Sequence, residues 1–431
     1  MEQLLHYVWK HRIFPLQPLH TTDGARVEVL DPGLHNRNAG PDFFNAKLRI
    51  DNIVWVGNVE IHLRSSDWYA HGHDRNGQYD NVVLHVASDI DAEVRTSQGK
   101  IVPQLLLQVP PHIIANFRQL LAFDNYPPCY KLIPQLSSLK IEHWLSVLQT
   151  ERLERKTDDI LRRLALCNGS WEQVCFVTLA RNYGFGINGD AFETWAYNLP
   201  LQAAAHHRDD LFQLEALFLG QAGLLELEAV PAYHQQEALA DGYLARLRKE
   251  YQFLAHKFHL TPMDRSLWRF LRLRPQNFPH IRLVQLAHLY YHRKANLSQL
   301  MACTTVLELH EALATSATPY WQTHYSFGAV CARNEKHLSP FSLNLIIINT
   351  VIPMLFAYGR HQAKDELCQR AFALLSTLRP ENNHIVRMWK DCGLQVENAG
   401  HSQALLQLKL QYCDRKDCLR CHFGREYVKT M

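Results

Sequence analysis

The chain has 431 residues, which is too long for one ordinary hydrophobic core and predicts two or three domains. A hydrophobic content of 47% and a charged content of 20% are ordinary for a globular protein. The net charge is only +3, which excludes a polycation, so any surface that binds nucleic acid must be a local patch.

No secretory signal or membrane span is expected from the sequence. Residues 1–20 carry several charges and lack a long apolar core. The most apolar stretch, residues 341–357, is interrupted by two asparagines and a proline, which favours a buried helix. We therefore expect a cytoplasmic protein with no membrane partner, in which the ten cysteines are mostly reduced.

The first 110 residues contain most of the β-like segments. After a predicted helix over residues 2–11 come predicted strands over 26–30, 43–50, 53–63, 81–87, 92–96 and 101–109. Between two of these strands, Ser65-Ser66-Asp67 is typical of the first turn of a helix.

The hydrophobic spacing becomes helical beyond a double proline at residues 127–128. Apolar residues from Ile141 to Leu148 recur at the spacing of one buried helix face, and such patterns continue to about residue 412. The predicted fold class is therefore α+β. A mixed α/β domain over residues 1–125 precedes a large all-α region over 126–431, in one or two subdomains, that ends in a cysteine cluster.

The predicted strand over residues 53–63 becomes polar on one face toward its end. Because side chains on a strand alternate, Glu60, His62 and Arg64 share a face, and Glu60 and His62 lie roughly 6–7 Å apart. A hairpin with the preceding strand would bring Asp42 to Glu60. Two carboxylates placed in this way suit Mg²⁺ or Mn²⁺, which lowers the pKa of bound water and polarises a phosphate.

These residues resemble the PD-(D/E)XK nuclease superfamily. The resemblance rests on Pro41-Asp42, on Glu60-Ile61-His62 at the end of a hairpin strand, and on the order helix, β-meander, helical turn, strand. It implies that Asp42 and Glu60 bind the catalytic metal. His62 stands where that superfamily has a lysine that orients the attacking water. Histidine need not be charged near neutral pH, so it serves as a base or a ligand, or the site is inactive.

The stretch 38–86 is also similar to an uncharacterised bacterial family, a domain of unknown function found largely in Bacteroidetes. The similar segments are Asn-Ala-Gly-Pro-Asp-Phe (38–43), Val-Gly-Asn-Val-Glu-Ile-His (56–62), Ser-Ser-Asp-Trp (65–68), His-Gly-His (71–73) and Tyr-Asp-Asn-Val-Val-Leu-His-Val (79–86). This resemblance extends over essentially the whole chain and implies no established activity.

The histidines near this strand permit another chemistry. A zinc or redox-metal site could draw on His62, His71, His73 and His85, with Glu60 and Asp67. The candidate substrate-binding residues are Asn36, Asn38, Arg64, Asp67 and His85. The simpler alternative is that the polar groups end a solvated strand, that Asp42 forms a turn and that His85 is a core residue.

Residues 246–282 form a basic segment with nine arginines and lysines and interleaved aromatic residues. Such a mixture suits a nucleic-acid backbone with stacked bases. We favour the alternative that Trp268, Phe270 and Leu271 belong to the core and that the basic residues form a solvated face.

The C-terminal cysteines Cys413, Cys418 and Cys421 have the spacing C-x4-C-x2-C. This spacing suits a structural zinc site, with His422 or Cys392 as the fourth ligand, or the beginning of an iron–sulfur pattern. Neighbouring basic residues are expected to lower the thiol pKa values. The alternative is three reduced thiols near a helix end.

The sequence thus predicts a metal-dependent nuclease or phosphodiesterase that acts on nucleic acid, with Asp42, Glu60 and His62 as catalytic residues. One alternative is a non-catalytic module with a degenerate nuclease fold that binds nucleic acid or a partner. The other is a zinc-dependent hydrolase that uses the histidine cluster.

Overall fold

A computed structural model of the chain describes residues 1–14, 17–36, 39–122 and 127–430. It divides into two compact units. The first unit comprises Met1–Lys140, Met388–Leu394 and Leu408–Met431, and the second comprises Ile141–Arg387 and Gln395–Gln407. The sheet lies in the first unit and the second is largely helical, which confirms the predicted α+β class. The last residues of the chain thus cluster with the N-terminal residues.

The first unit begins with helix α1 (Glu2–Lys10) and continues into a mixed sheet. Its strands are β1 (Leu19–His20), β2 (Arg26–Asp31), β3 (Leu34–His35), β4 (Phe43–Ile50), β5 (Ile53–Arg64), β6 (Val82–Asp89) and β7 (Gln104–Leu106). The strand order is β1-β2-β4-β5-β6-β7, with β3 beside β4. Strands β4 and β5 form the predicted hairpin, whereas β6 runs parallel to β5 and β7 parallel to β6.

Two predicted strands are wrong or much shorter than expected. Residues 92–96 form no strand, and only an isolated bridge joins Arg95 to Ile101; within 101–109 only β7 is a strand. Val94 and Val102 are instead buried in a small cluster around Trp68. Packing against this tryptophan overrides the strand preference of the two valines.

The connection between the parallel strands β5 and β6 folds back over the end of β5. It contains the short helix α2 (Asp67–Ala70), which confirms the predicted helical turn, and two 3₁₀ turns, His73–Arg75 and Gly77–Tyr79. Gly72 has a φ of 71°, in the left-handed region that favours glycine. This residue lets the chain reverse between His71 and His73.

After the sheet the described chain is mostly helical. The helices are α3 (Pro111–Ala122), α4 (Ser138–Leu166), α5 (Trp171–Tyr183), α6 (Gly189–Asn198), α7 (Leu201–His206), α8 (Leu211–Gln221), α9 (Gln235–Ala240), α10 (Tyr243–Phe258), α11 (Pro279–Tyr291), α12 (Leu297–Ala302), α13 (Val306–Leu313), α14 (Pro319–Gln322), α15 (Pro340–Ile346), α16 (Ile352–His361), α17 (Asp365–Thr377), α18 (His384–Asp391), α19 (Ala399–Leu408) and α20 (His422–Lys429). A two-stranded ribbon, β8 (His324–Ser326) and β9 (Ala329–Val330), lies between α14 and α15.

One helical stretch of the second unit is apolar enough to cross a bilayer by length and composition. It runs over Pro340–His361 and comprises α15, a π-helical turn and α16. Its most apolar window is 67% buried inside the protein. That burial is typical of the core helix that the sequence predicts.

Candidate metal centre

Strand β5 lies inside the sheet and positions Glu60 and His62. Its antiparallel pairing with β4 sets Val59 opposite Phe43, and its parallel pairing with β6 sets Glu60 beside His85. Because the connection after β5 covers the face that carries them, Glu60 and His62 are only 5% and 2% exposed. The polar face at the end of the strand therefore lies in a buried pocket.

Asp42, just before β4, meets Glu60 as the predicted hairpin requires. The backbone N–H of Asp42 donates to Oε2 of Glu60 at 3.0 Å, and Oδ2 of Asp42 accepts from the backbone N–H of Ile61 at 3.0 Å. Nε2 of His6, on α1, lies 3.3 Å from the same Oδ2. One oxygen of each carboxylate is thus engaged by the backbone of the other strand.

His6 and Asp42 form an ion pair that sequence reasoning missed. Burial opposes charge on both groups, but each charge favours the other. The net result is a raised pKa for His6 and a lowered pKa for Asp42. His6 belongs to a separate helix, and no local spacing in the sequence marks it as a neighbour of Asp42.

Three histidines converge in front of Glu60. His62, His71 and His73 each offer a ligand atom, and these atoms all lie within 4.8 Å of one another. Nε2 of His62 lies 3.1 Å from Nδ1 of His71. Oε1 of Glu60 lies 3.2 Å from Nε2 of His73 and 3.6 Å from Nε2 of His62. The three imidazoles can therefore share one ion, and Glu60 contacts two of them.

His85 supports His62 from the neighbouring strand. Its Nε2 atom lies 2.9 Å from Nδ1 of His62, on the side of the ring away from His71. Burial, and then the other histidines, lower the pKa of His62 to about 3, and burial and His73 lower that of His85 to about 4. Both rings are neutral near pH 7, which is the form of imidazole that binds metals.

The carboxyl group of Glu60 lies in the same buried pocket. Burial raises its pKa, the charge of Asp42 raises it further, and the contacts to His73 and to the Asp42 backbone lower it only in part. Two carboxylates at one buried site disfavour each other's ionisation. A cation bound beside Glu60 would offset that cost.

Aromatic rings contact two of the histidines, His73 and His85. His73 stacks on Tyr79 with ring centroids 3.7 Å apart, and Trp68 contacts the edges of His73 and His85. The indole N–H of Trp68 donates to the carbonyl of Arg95 at 2.9 Å. Trp68 and Tyr79 lie in segments that carry the family resemblance, but sequence reasoning did not identify them as residues that position the histidines.

The remaining predicted binding residues lie around this site. Asp67 accepts from the backbone N–H of Arg64 at 3.1 Å and so fixes the turn after β5, while the Arg64 side chain is exposed. The amide of Asn36 donates to the carbonyls of Ala39 and Pro41 at 3.2 and 3.0 Å, which holds the loop before Asp42. Asn38 lies outside the described residues. Contact of these side chains with a substrate stays a prediction.

The donor set differs from the two-carboxylate site that the resemblance implies. Imidazole-rich sites suit Zn²⁺ and other borderline transition metals, whereas Mg²⁺ prefers carboxylate, carbonyl and water oxygens. Zinc–nitrogen bonds of about 2.0–2.1 Å require nitrogen atoms roughly 3.3–3.5 Å apart in a tetrahedral site. The separations around His62 and Glu60 are close to this requirement, and the arrangement can hold a metal with a position left for water.

The basic segment of the second unit is divided between core and surface. Trp268 and Arg282 are buried, and Arg282 donates to Oε1 of Gln285 at 2.8 Å. Most of the other basic residues are exposed, as expected of a solvated face. Leu271 is 82% exposed, so its assignment to the core was wrong. It lies in a turn between two 3₁₀ turns rather than on a helix face.

The C-terminal cysteines lie between α19 and α20, where the sequence predicts a helix-end loop. Cys413 is half-buried, and Cys418 and Cys421 are buried. The expectation of lowered thiol pKa values is wrong for two of them. Burial raises the pKa of Cys413, and burial and Asp417 raise that of Cys418 to about 11, although Lys409 and Lys416 act in the opposite direction. Desolvation of the thiolate outweighs the nearby cations.

Comparison with known proteins yields a family and no activity. The model of the family described as "Protein of unknown function (DUF2851)" matches residues 2–384, and neither the curated proteins nor the solved structures contain a match. The matched residues include the sheet and the histidine cluster, and they end before the C-terminal cysteines. Because the match covers nearly the whole chain, the protein belongs to the DUF2851 family of proteins of unknown function.

Proposed function

We propose that this protein is a metal-dependent hydrolase of phosphodiester bonds in nucleic acid, with a histidine-rich metal centre. One observation carries the proposal: ligand atoms of His62, His71 and His73 lie within 4.8 Å of one another, and Glu60 lies within 3.6 Å of two of these rings. Three protein histidines with an open position are the donor set of many catalytic zinc sites. A bound divalent ion would supply a water of lowered pKa and polarise a phosphate oxygen.

Some residues at the centre bind the metal, and others orient the ligands. His62, His71 and His73 hold the metal, and Glu60 lies beside the position left for water. Nε2 of His85 lies 2.9 Å from Nδ1 of His62 and accepts a hydrogen bond from it. With the proton on Nδ1, the lone pair of His62 Nε2 is free to bind the metal.

Asp42 acts on the centre through Glu60. Its backbone N–H fixes Oε2 of Glu60, which turns Oε1 toward the histidines. His6 in turn holds the carboxylate of Asp42. The exposed Arg64, two residues beyond His62, is available to a phosphate.

The choice of phosphodiester as substrate rests on the resemblance of residues 41–62 to PD-(D/E)XK nucleases. The supporting features are an acid before one hairpin strand, a second acid on the next strand, and a parallel strand after a helical turn. His62, in the place of the usual lysine, is a metal ligand in this proposal. Zn²⁺ or Mn²⁺ is therefore the expected cofactor, and the protein is expected in the cytoplasm.

The test compares cleavage of labelled single-stranded DNA, double-stranded DNA and RNA by chelator-treated protein after Zn²⁺, Mn²⁺ or Mg²⁺ is added. His71→Ala is the informative variant, because His71 is the exposed member of the cluster and its loss should leave the fold intact. His112→Ala, an exposed histidine on α3, is the matched control.

We expect metal-dependent cleavage that falls by more than roughly 100-fold in His71→Ala. Loss of a direct ligand should cost more than loss of an outer hydrogen-bond partner, which costs about 10–100-fold. Cleavage by His112→Ala should stay at the wild-type level. Cleavage that survives both the chelator and His71→Ala would overturn the proposal. Metal binding without cleavage of any of the three substrates would also overturn it and favour a non-catalytic module.

A further inference from the structure

Cys331 and Lys336 bring a thiol and an amine into contact in the second unit. Nζ of Lys336 lies 3.5 Å from Sγ of Cys331. Lys336 is only 5% exposed, whereas Cys331, directly after β9, is half-buried. The contact therefore joins a partly accessible cysteine to an amine in the interior of the unit.

The ammonium group of Lys336 is otherwise surrounded by uncharged groups. It donates to the carbonyl oxygens of Trp321 and His324, the second at 2.7 Å, and it lies 4.2 Å from the ring centroid of Tyr325. A buried charge is costly unless a partner compensates it. Among these contacts in the described chain, a thiolate at Cys331 is the anion that would compensate the ammonium.

Hydrogen bonds fix both ends of the segment that carries the pair. The backbone N–H of Cys331 donates to the carbonyl of Thr323 at 2.7 Å. The side-chain amide of Gln285, on α11, donates to the carbonyl of Lys336 at 2.5 Å. The sulfur and the nitrogen are therefore held at a separation close to that of atoms about to react, which is roughly 3–3.5 Å.

The charge on Cys331 controls how readily Lys336 loses its proton. Burial lowers the pKa of Lys336, and the charge of Cys331 acts in the opposite direction. Oxidation of the thiolate to an uncharged sulfenic acid removes that opposing charge. Burial then favours the neutral amine, which is the form of lysine that acts as a nucleophile.

We propose that Cys331 and Lys336 form a peroxide-sensitive modification site, at which oxidation joins Sγ of Cys331 to Nζ of Lys336. The thiolate first attacks a hydroperoxide, so that an S–O bond forms and the O–O bond breaks. With hydrogen peroxide the hydroxide that leaves takes a proton from the ammonium of Lys336, which gives water, a sulfenic acid and a neutral amine.

The second step needs no further oxidant. The amine of Lys336 attacks the sulfenic sulfur, an S–N bond forms, and the S–O bond breaks. The hydroxyl group leaves with one amine proton as water. Sulfur is thus the atom oxidised, and the peroxide is reduced to water. Sulfenic acids are known to condense with nitrogen in this way, and thiols reverse the reaction.

The link changes the hydrogen bonds that hold this part of the second unit. The ammonium group has three N–H donors, whereas the nitrogen of an S–N link keeps one. At least one of the carbonyls of Trp321 and His324 then loses its donor. The site needs no metal, so it is independent of the histidine cluster.

The test is a peptide map of the full chain after treatment with a small excess of hydrogen peroxide. A chelator is present to exclude metal-catalysed oxidation, and digestion with trypsin follows without a reductant. Trypsin cleaves after Arg333 and after Lys336, so Cys331 and Lys336 fall on different peptides of the untreated protein.

We expect oxidation to block cleavage after Lys336 and to join the peptide that ends at Arg333 to the peptide that begins at Asn334. The joined mass should be about 2 Da below the sum of the two peptides, since two hydrogens are lost. A thiol reductant should separate the peptides and restore cleavage after Lys336.

The variants Lys336→Gln and Cys368→Ser complete the test. Lys336→Gln should give no joined peptides. Cys368→Ser is the matched control, because Cys368 is a half-buried cysteine of the same unit whose Sγ lies 3.6 Å from the carbonyl of Phe356, and it should behave as the wild type. If Lys336→Gln does not fold, the wild-type map decides. Peptides that stay separate, a link of any other mass, or a link lost in Cys368→Ser would overturn the proposal.

Discussion

Replacement of His85 by phenylalanine tests how the metal centre is oriented. Nε2 of His85 lies 2.9 Å from Nδ1 of His62, and a metal bound at Nε2 of His62 requires the ring proton on Nδ1. His85→Phe keeps an aromatic ring in the fully buried position and removes the acceptor for that proton. Loss of such an outer partner typically weakens metal binding about 10–100-fold, or about 1.4–2.7 kcal/mol.

The assay is competition for Zn²⁺ with a chromophoric chelator near pH 7. The control is His280→Phe on α11 of the second unit, where burial lowers the pKa of the histidine to about 3. Both substitutions remove a buried neutral histidine, but only that of His85 changes the proposed centre. An unchanged Kd for His85→Phe, or an equal loss for His280→Phe, would refute the reasoning.

Other parts of the fold give further expectations. Burial raises the pKa of Glu215 from 4.5 to about 7, against its hydrogen bond from Thr318, so the folded state holds a proton that the unfolded state releases. The free energy of unfolding should then fall by up to about 3 kcal/mol as the pH rises from about 4.5 to 7. In Glu215→Gln that part of the slope should vanish from urea titrations at several pH values, and a slope identical to wild type would contradict it. A Cβ atom at Gly57 would lie 2.3 Å from Val83 and 2.8 Å from the carbonyl of Asn81. Gly57→Ala should therefore lower stability by about 1–3 kcal/mol, and a wild-type urea midpoint would count against this account. Zn²⁺ at 100 times its Kd should stabilise the chelator-treated protein by about 2.7 kcal/mol per site, seen as a rise in Tm, and no rise would mean that the folded state binds no zinc.

The hairpin was predictable because its signals are local. A turn at residues 51–52 and alternation along the two strands are enough to set Asp42 against the end of β5, and the pairing of Ile50 with Ile53 agrees. The alternation also set Glu60 and His62 on one face. Burial of that face was not predicted, because it depends on the connection that folds back over the strand.

The contacts that define the proposed metal centre join separate segments. His6 reaches Asp42 from a helix at the N-terminus. Spacing in a sequence reports only neighbours on one element, so His6 carried no signal of its own. His71 and His73 were weak candidates among 25 histidines until the turn at Gly72 brought His73 to Glu60 and His71 to His62.

The most direct test of the account is the metal content of the wild type compared with the His71→Ala/His73→Ala double variant. Both proteins are stripped of metal, reloaded with Zn²⁺ and dialysed to equilibrium before elemental analysis. Any zinc bound elsewhere, for example by the C-terminal cysteines, is common to both proteins, so the difference reports the histidine centre alone. We predict that the double variant holds one equivalent less than the wild type. Equal zinc in the two proteins would contradict a metal centre at His62, His71, His73 and Glu60.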